Sequence, residues 1–251
     1  MINVKGIVLA AGRGSRMGDL TEHSHKCLTI LDGKSLLDWQ LSSMNQAGIN
    51  DVTIVTGYKS SLLKGAFEKI QNSRWNQTNM VSSLFCCDRP TIDTIVSYSD
   101  ILYSSIHVRK LIENQGDIVI TSDKLWLQLW SIRFENPLDD AESFKTDGDI
   151  LKEIGKKVDK ISSIEGQFMG LIKFSPKGWD ICYNLFKTFP QKKQDDLDMT
   201  SFLSHLIKSE KVNVVFIEGN WCEIDSLNDL NTYKKKLDEN KEWSHDWRKL
   251  Y

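Results

Sequence analysis

The sequence has few cysteines, and none of them has the spacing of a structural site. Five cysteines occur in 251 residues, an odd number with no Cys-x-x-Cys pair. A disulfide framework and a cysteine zinc site are therefore both disfavoured. His23 and His25 alternate along the chain, but no third ligand is nearby, so we interpret them as polar loop residues. The cysteines are interpreted as small buried hydrophobic residues.

An excess of charge of one sign is also lacking. The 32 lysines and arginines are balanced by 34 aspartates and glutamates, which gives a formal net charge of −2 at pH 7. Proteins that hold nucleic acid or an anionic membrane usually present a strong basic field. We therefore predict that neither nucleic acid nor a membrane is a partner.

Long hydrophobic runs are absent as well. No apolar stretch approaches the roughly 20 residues of a membrane-spanning helix, and the N-terminus shows no signal-peptide pattern. The expected location is therefore the cytoplasm. The composition, 40% hydrophobic and 26% charged, is ordinary for a globular protein. The chain is long enough for one large α/β domain.

Three familiar motifs are missing. A P-loop fails because Gly12 and Gly18 have the wrong separation and Asp19 stands where lysine is required. A Rossmann fingerprint fails because Met17 takes the position of the third glycine. The next predicted strand, residues 52–56, also ends without an acidic residue to bind a ribose, so an NAD-dependent oxidoreductase is disfavoured. No Ser/His/Asp or Cys/His catalytic set stands out.

The most informative segment is residues 7–26, IVLAAGRGSRMGDLTEHSHK. An apolar, β-branched run changes abruptly to small residues at positions 10–16, which predicts a buried strand that ends in a glycine-rich loop. Its glycines permit positive φ, so successive N–H groups can point at anionic oxygens. Arg13, Arg16 and Lys26 add positive charge. We interpret the loop as a phosphate-binding site; an ordinary strand-to-helix turn is the alternative.

LAAGRGSRMG with a downstream lysine resembles the signature of nucleotidyltransferases that join a nucleoside triphosphate to a phosphorylated small molecule. The resemblance implies that the loop wraps the triphosphate. It also implies catalytic roles for Arg16, which neutralises the phosphates, and Lys26, which contacts them. The nucleotide-binding residues implied in this loop are Leu9, Ala10, Ala11, Gly12, Arg13, Gly14, Ser15 and Arg16.

The order of predicted elements agrees with that family. Strand and helix alternate over residues 3–70, with a helix expected at 60–70, which predicts a parallel sheet with right-handed crossovers. Shorter alternating segments follow, including a strand at 127–134 and a hairpin at Asp147-Gly148. We predict an α/β nucleotidyltransferase fold. This fold is a Rossmann-like three-layer sandwich whose sheet is mostly parallel and carries a small antiparallel extension.

We expect residues 1–251 to form a single nucleotidyltransferase domain. Residues 124–165, approximately, are predicted to be an antiparallel extension on the acceptor side. Residues 238–251 are predicted to be a C-terminal tail. Trp243 and Trp247 at i and i+4 suggest a terminal helix that packs on the domain or on a partner subunit.

Within the family, the chain resembles the choline-phosphate and aminoethylphosphonate cytidylyltransferases most, which implies CTP as the nucleotide. The segment Asn79-x-x-Ser resembles one that contacts the nucleotide base or the substrate, and it implies nucleotide-binding roles for Asn79, Ser82 and Ser83. The alternative role for Asn79 is to cap the helix that follows it. Both roles are compatible with one side chain.

Two aspartates are the candidate metal ligands. Asp100 lies just beyond the predicted strand 93–97, where a carboxylate can hold Mg²⁺ against a triphosphate. Asp225 lies in a Glu-x-Asp segment before a predicted helix, and the resemblance implies that it joins Asp100 on the metal. Its alternative role is that of a helix cap. We expect Mg²⁺ as the cofactor and a catalytic role for Asp100.

The acceptor site is the least specific prediction. The candidate acceptor-binding residues are Asp123, Lys124, Trp126, Trp130 and Glu223. Trp126 and Trp130, with Trp179 and Trp221, are candidates for an aromatic cage around a quaternary ammonium, and their alternative is a core position. The acidic segment 139–142 binds an amine in one interpretation and is a solvated loop in the other. Asp123 and Lys124 are either substrate-facing or surface residues.

The expected reaction is an in-line attack by an acceptor phosphate or phosphonate oxygen on the α-phosphorus of CTP, which expels pyrophosphate. The acceptor oxygen is already ionised near neutral pH, so no general base is needed. Phosphocholine, aminoethylphosphonate and an amino-acid phosphate of the kind used in capsule decoration all remain open as acceptors. The alternatives are a sugar-1-phosphate nucleotidyltransferase and a non-catalytic nucleotide sensor. A homodimer is compatible with the sequence.

Overall fold

The computed structural model describes residues 3–239 and 242–249. The strands are Val4–Ala10 (β1), Ile30–Leu31 (β2), Lys34–Ser35 (β3), Val52–Thr56 (β4), Glu68–Gln71 (β5), Asp93–Tyr98 (β6), Ile101–Tyr103 (β7), Ile118–Asp123 (β8), Glu142–Asp147 (β9), Ile150–Lys157 (β10), Gln167–Phe174 (β11), Asn213–Ile217 (β12) and Trp221–Glu223 (β13). The α-helices are Leu20–His23 (α1), Leu36–Gln46 (α2), Met80–Leu84 (α3), Ser105–Glu113 (α4), Trp126–Arg133 (α5), Pro176–Thr188 (α6), Gln191–Asp196 (α7), Met199–Leu206 (α8) and Leu227–Asp238 (α9). Short 3-10 helices lie at Ser15–Met17, Lys26–Leu28, Ser60–Leu62, Pro137–Asp139 and Ile161–Ser163.

A nine-stranded sheet in the order β5-β4-β1-β6-β11-β8-β12-β10-β9 forms the centre of the fold. β1 pairs in parallel with β4 and β6, and β8 pairs in parallel with β12. β11 is inserted antiparallel between β6 and β8, and β10 and β9 form an antiparallel hairpin at one edge. The predicted mixed α/β fold with a mostly parallel sheet is therefore confirmed.

The central strands are apolar because they are covered on both faces. All five residues of β4 are buried, as are the four residues that follow Gly6 in β1, whose exposures are 8% or less. A parallel sheet covered by helices requires such continuous hydrophobic runs. The loops after β1 and β6 therefore lie at the same edge, because neighbouring parallel strands end on the same side.

A separate two-stranded sheet of β7 and β13 lies next to the end of β6. The two strands are antiparallel, and Glu223 of β13 pairs with Ile101 of β7. Because Asp100 precedes β7 directly, this small sheet brings the second half of the chain to the end of β6.

Two predicted elements within residues 3–239 are wrong. The segment predicted as a strand at 127–134 lies, up to Arg133, in helix α5. The buried residues Trp126, Leu129, Trp130 and Arg133 recur at the helical spacing, so the segment buries one face of a helix. The predicted helix at 60–70 is a 3-10 turn followed by β5, whose backbone pairs with the open edge of β4. The predicted hairpin at Asp147-Gly148 is present as β9 and β10.

The described part of the tail, residues 242–249, is not helical. It packs on the domain itself: the ring centroids of Trp247 and Trp39 are 5.8 Å apart, and those of Trp243 and Tyr233 are 5.2 Å apart. The predicted terminal helix is therefore wrong for these residues, while the predicted packing is observed. Residues 240–241 and 250–251 lie outside the described residues. Among the described helices, none combines the length and apolar character needed to cross a membrane.

Candidate active site

The glycine-rich loop after β1 turns through Gly14, which has a left-handed φ of 66°. A Cβ at this position would lie 2.7 Å from Lys26 Cδ and 2.9 Å from Lys26 Cβ. Glycine is therefore needed at position 14 both for the backbone conformation and for the close approach of the Lys26 stem.

His25 fixes the segment that carries Lys26. Its buried ring lies with Nε2 2.9 Å from the carbonyl oxygen of Ala10, at the end of β1. Burial lowers the pKa of His25, so the ring stays neutral near pH 7. His25 is a polar residue between helices, as expected, and its ring also makes a buried contact that sequence spacing does not reveal.

Lys26 is the centre of the site. Its Nζ donates to Asp100 Oδ2 over 2.7 Å and to Asp225 Oδ1 over 2.6 Å, and its side chain is only 7% exposed. Arg16 Nη2 lies 3.1 Å from the other oxygen, Asp225 Oδ2. Residues from three distant parts of the chain, the first loop, the end of β6 and the end of β13, thus form one ion-paired group.

The β7–β13 sheet explains how the carboxylates meet. The backbone N–H of Ile224 donates to the carbonyl oxygen of Asp100 over 2.9 Å, which joins the two segments at their ends. One ligand atom from each of Asp100, Glu223 and Asp225 lies within 4.8 Å of the others. Asp100 Oδ1 is buried and has no hydrogen-bond partner. A buried carboxylate oxygen without a partner is costly, so it fits a cation ligand.

Arg133 of α5 forms ion pairs with Glu223 and Asp229. Its side chain is 1% exposed, with Nη1 2.9 Å from Glu223 Oε2 and Nε 3.1 Å from Asp229 Oδ1. Asp229 forms a capping box with Ser226, the actual N-cap of α9, and it also accepts from the backbone N–H of Asp225. The cap alternative for Asp225 is therefore wrong, and its carboxylate is free to face Lys26.

The charges of the group shift one another's pKa. Burial alone would lower the pKa of Lys26, but Asp100 and Asp225 outweigh it and raise the value. Burial alone would raise the pKa of Asp225, but Lys26 and Arg16 lower it. Burial and the neighbouring Asp225 raise the pKa of Glu223, against the opposing effect of Arg133. Lys26 and Asp225 are therefore both charged near pH 7.

A cavity of about 300 Å³ opens between the loop, α3 and the acidic group. Its walls include these predicted residues: Leu9, Ala11, Gly12, Gly14, Ser15, Arg16, Lys26, Asn79, Ser83, Asp100 and Asp225. Three predicted nucleotide-binding residues are not among them. Ala10 is buried, Arg13 is exposed with its guanidinium 5.8 Å from the Tyr58 ring centroid, and Ser82 Oγ donates to the carbonyl oxygen of Gln194.

Asn79 does cap α3. Its Oδ1 accepts from the backbone N–H of Met80 over 2.8 Å, and the same residue lies in the cavity wall. Neighbouring Ser83 accepts from Asn72 Nδ2 through its Oγ over 3.0 Å. The cap role is confirmed, and the nucleotide-binding role of Asn79 and Ser83 stays a prediction that their position permits.

The structure contradicts an acceptor-binding role for Asp123. Its carboxylate is fully buried and accepts from the backbone N–H of Gly219, from Trp221 Nε1 and from the backbone N–H of Leu125. Its Oδ2 also lies 2.9 Å from His245 Nε2, in the tail. Because four groups already contact this carboxylate, it ties β13 and the tail to the end of β8.

The tryptophan cage is contradicted as well. Trp126, Trp130, Trp179 and Trp221 are all 4% exposed or less, and neighbouring rings pack against one another, as with Trp130 and Trp221 at 6.3 Å. The core alternative is therefore correct. Lys124 is exposed with its Nζ 4.6 Å from the Phe216 ring centroid, outside the cavity wall. Of the predicted acceptor-binding residues, Glu223 is the one that lies beside the cavity's carboxylates.

Several residues of the cavity wall were missed by sequence reasoning. They are Trp75, Thr78, Met80, Tyr98 and Ser99. Trp75 packs edge-to-face with Tyr58 at 5.3 Å, and a Cβ at Gly57 would lie 2.4 Å from Trp75 Cβ. Trp75 lies four residues before Asn79. The polar segment before α3 was therefore the sequence signal that could have placed Trp75 at the cavity.

Acidic residues beyond Tyr98 extend the negative charge of the site. Burial raises the pKa of the Tyr98 hydroxyl, and the carboxylates of Asp100, Glu223, Asp198 and Glu142 raise it further. Glu142 Oε1 accepts from Thr200 Oγ1 at 3.4 Å. Within the segment 139–142, Asp139 is exposed, whereas Glu142 is half-buried and is one of the carboxylates near Tyr98.

Comparison with known proteins gives matches over most of the chain. Residues 6–138 match a family model described as the MobA-like NTP transferase domain. The chain is 37% identical over 253 residues to the CTP:phosphoglutamine cytidylyltransferase of Campylobacter jejuni, an alignment that covers 93% of this chain and 100% of that protein. It is 27% identical over 244 residues to the choline-phosphate cytidylyltransferase of Streptococcus pneumoniae, covering 94% and 97%.

A solved structure supports the fold independently. The CTP:phosphocholine cytidylyltransferase of Streptococcus pneumoniae superposes with a TM-score of 0.71 at 22% identity, covering 93% of this chain and 99% of that one. At this identity the similarity concerns the architecture of the chain and not the chemistry of its site.

Proposed function

The chain belongs to the MobA-like NTP transferase domain family, and on this premise we propose that it is a cytidylyltransferase. It joins CTP to a small phosphorylated acceptor and releases pyrophosphate. The named relatives with full-length alignments transfer from CTP, which supports the choice of nucleotide.

One observation supports this function most directly. In the wall of the cavity that the glycine-rich loop also forms, Lys26 pairs with the carboxylates of Asp100 and Asp225, and Arg16 pairs with Asp225. A phosphate-binding loop beside an acidic group suits the transfer of a nucleotidyl group. A nucleotide sensor has no need for the acidic group, so this arrangement disfavours that alternative.

The chemistry follows from charge neutralisation. An oxygen of the acceptor phosphate attacks the α-phosphorus of CTP, the bond between that phosphorus and the bridging oxygen breaks, and pyrophosphate leaves with the electron pair. Lys26 and Arg16 reduce the repulsion between the two anions and stabilise the charge that develops on the phosphate oxygens. No proton has to be removed from the acceptor, so the proposed reaction does not require a general base.

Mg²⁺ is the proposed cofactor. Asp100 and Asp225, with Glu223 beside them, offer the oxygen ligands that a hard cation prefers, and the unpartnered Asp100 Oδ1 fits that role. When bound, the cation neutralises phosphate charge and orients the triphosphate.

For the acceptor we propose an amino-acid phosphate of the phosphoglutamine type. The full-length 37% identity to an enzyme named for phosphoglutamine supports this choice over phosphocholine and aminoethylphosphonate, and the carboxylates around Tyr98 suit an acceptor that carries an ammonium group. Such a product is consistent with a role in decorating cell-surface polysaccharide, which we propose together with a cytoplasmic location. The homodimer stays a prediction, which light scattering of the purified protein tests.

The deciding experiment is pyrophosphate release from CTP with Mg²⁺ in the presence of phosphoglutamine, phosphocholine, phosphoethanolamine, aminoethylphosphonate or a sugar 1-phosphate. ATP, GTP and UTP replace CTP as controls. We expect release with CTP and the amino-acid phosphate. Preference for a sugar 1-phosphate would instead indicate nucleotide-sugar synthesis, and CTP binding without release under any condition would support the sensor.

A further inference from the structure

The Lys26 ammonium contacts two of the carboxylates that are candidate ligands of a divalent cation. Its Nζ lies 2.7 Å from Asp100 Oδ2 and 2.6 Å from Asp225 Oδ1. These residues are two of the three whose carboxylates cluster within 4.8 Å. Asp100 Oδ1 has no hydrogen-bond partner, so a cation bound to this oxygen would share the carboxylate with the ammonium, and two positive charges so close together repel each other. The ammonium and the divalent cation therefore oppose each other at this acidic group.

The Lys26 side chain is held at its stem. The stem packs on Gly14, where even a Cβ would lie 2.7 Å from Lys26 Cδ, and the side chain is 7% exposed. A buried ammonium without an anionic partner is costly. The ammonium therefore leaves Asp100 and Asp225 only when another anion takes their place.

The same cavity offers groups that suit another anion. Its wall includes Gly12, Gly14, Ser15 and Arg16 of the glycine-rich loop together with Lys26. Backbone N–H groups of such a loop favour phosphate oxygens. A phosphate bound by the loop thus offers the ammonium a new partner within the cavity.

We propose that the Lys26 ammonium competes with a divalent cation for the carboxylates of Asp100 and Asp225, so that the cation and the phosphates of the nucleotide bind cooperatively. The inference rests on the proposed function for the identity of the nucleotide. By linkage, the phosphates raise the affinity for the cation by the same factor by which the cation raises the affinity for the phosphates. Lys26 thus neutralises the acidic group before the nucleotide binds and contacts the phosphates afterwards.

The test measures Mn²⁺ binding to the full chain without nucleotide, from the electron paramagnetic resonance signal of free Mn²⁺. Lys26→Met removes the competing ammonium and keeps most of the side-chain volume, and Lys26→Gln is the second variant should the first fail to fold by circular dichroism. Lys34→Met is the matched control, because Lys34 is exposed on the β2–β3 hairpin and its loss changes the net charge equally. We expect at least tenfold tighter Mn²⁺ binding in the Lys26 variant and less than a twofold change in the control.

Two further results bear on the same proposal. Adding Asp100→Asn to Lys26→Met is expected to remove the gain in Mn²⁺ affinity, which locates the cation at the acidic group. Unchanged or weaker Mn²⁺ binding in the folded Lys26 variant overturns the proposal. An equal gain in Lys34→Met also overturns it, since the effect is then one of net charge alone.

The outcome is separable from that of the proposed function. Wild-type protein that releases pyrophosphate from CTP, with no gain in Mn²⁺ affinity on loss of Lys26, contradicts the competition only. Wild-type protein that is silent with every acceptor and nucleotide, but gains affinity for Mn²⁺ on loss of Lys26, contradicts the transferase only.

Discussion

The Lys26 ammonium donates to Asp225 Oδ1 over 2.6 Å, although the two residues are 199 positions apart in the sequence. The contact joins the glycine-rich loop to the segment that follows β13. It depends on the β7–β13 sheet, which places Asp225 beside Asp100. The activity of the protein is therefore expected to depend on residues from both ends of the chain.

Asp100→Asn is expected to lower kcat for pyrophosphate release from CTP. The change removes one negative charge from the group formed with Lys26 and Asp225, and the loss of one preorganised electrostatic contact typically costs about 10²–10³-fold in rate. Asp93→Asn is the control, since Asp93 begins β6 at the opposite end and pairs with Lys173. Steady-state kinetics of both variants give the answer; near-normal turnover in Asp100→Asn contradicts the assigned role.

Gly14→Ala is expected to raise the KM for CTP by about tenfold or more, because its Cβ would lie 2.7 Å from Lys26 Cδ. Gly148→Ala is a matched control: Gly148 also has a positive φ, of 61°, but a Cβ there meets nothing within 4 Å. Both changes strain a left-handed residue by about 1–2 kcal/mol. An equal KM in the two variants would contradict a role of the close approach between Gly14 and Lys26 in CTP binding.

Stability is expected to fall as the pH drops below 6.5, in part through His107. Burial lowers the pKa of His107 from 6.5 to about 3 in the folded protein, and its Nδ1 has no hydrogen-bond partner. Between these two values the unfolded chain binds a proton that the folded protein excludes, so this group contributes a loss of about 1.4 kcal/mol per pH unit. This loss is absent above pH 6.5 and grows as the pH falls towards 3.

Urea denaturation of the wild type and His107→Leu at pH 7, 6 and 5 measures this contribution. The variant lacks the titrating group, so its free energy of unfolding should decline less steeply with falling pH. Parallel declines in the two proteins would show that His107 does not carry the effect.

Asp123→Asn is expected to reduce stability and leave acceptor binding unchanged. The Asp123 carboxylate is fully buried against His245 and Trp221, and breaking a buried pair costs about 3–5 kcal/mol. Thermal unfolding and the KM for the acceptor separate the two effects. A large rise in that KM at unchanged stability would restore the acceptor-binding role that the structure contradicts.

Glu142→Gln is expected to weaken binding of acceptors that carry an ammonium group. Glu142 is one of the carboxylates that raise the pKa of Tyr98 in the cavity wall, and a hydrogen bond to a charged group is worth about 1.5–3 kcal/mol. The measurement compares the KM of phosphoethanolamine and aminoethylphosphonate, whose ammonium groups donate hydrogen bonds, with that of a phosphorylated acceptor without an amine. Equal changes for all acceptors would place Glu142 outside the recognition of the ammonium.

The predictions that succeeded rest on local signals. The strand and glycine-rich loop over residues 7–26 and the Asp147-Gly148 hairpin follow from hydrophobic pattern and turn chemistry within a few residues. The helix α5 was mistaken for a strand because apolar residues such as Trp126, Leu129 and Trp130 are compatible with a buried strand as well as with a buried helix face. Only packing against the rest of the domain selects the helical face.

Residues that act through distant contacts were not predictable. Arg133 lies in α5, yet its partners Glu223 and Asp229 are 90 and 96 residues away. Asp123 was expected at the substrate because it ends a strand, but His245 and Trp221 reach its carboxylate from the last part of the chain. Such pairs depend on which elements meet in the folded chain, and no periodicity in the sequence encodes them.

The amino-acid sequence by itself determined the α/β pattern, the glycine-rich loop and the identity of the residues suited to charge neutralisation, because these follow from residue chemistry and short-range spacing. The tertiary structure decided which of those residues share one site. It placed Lys26, Asp100 and Asp225 in contact and buried the tryptophans in the core. Strand pairing across long sequence separations made that selection, since the energy of a buried charge depends on the partners that the fold brings to it.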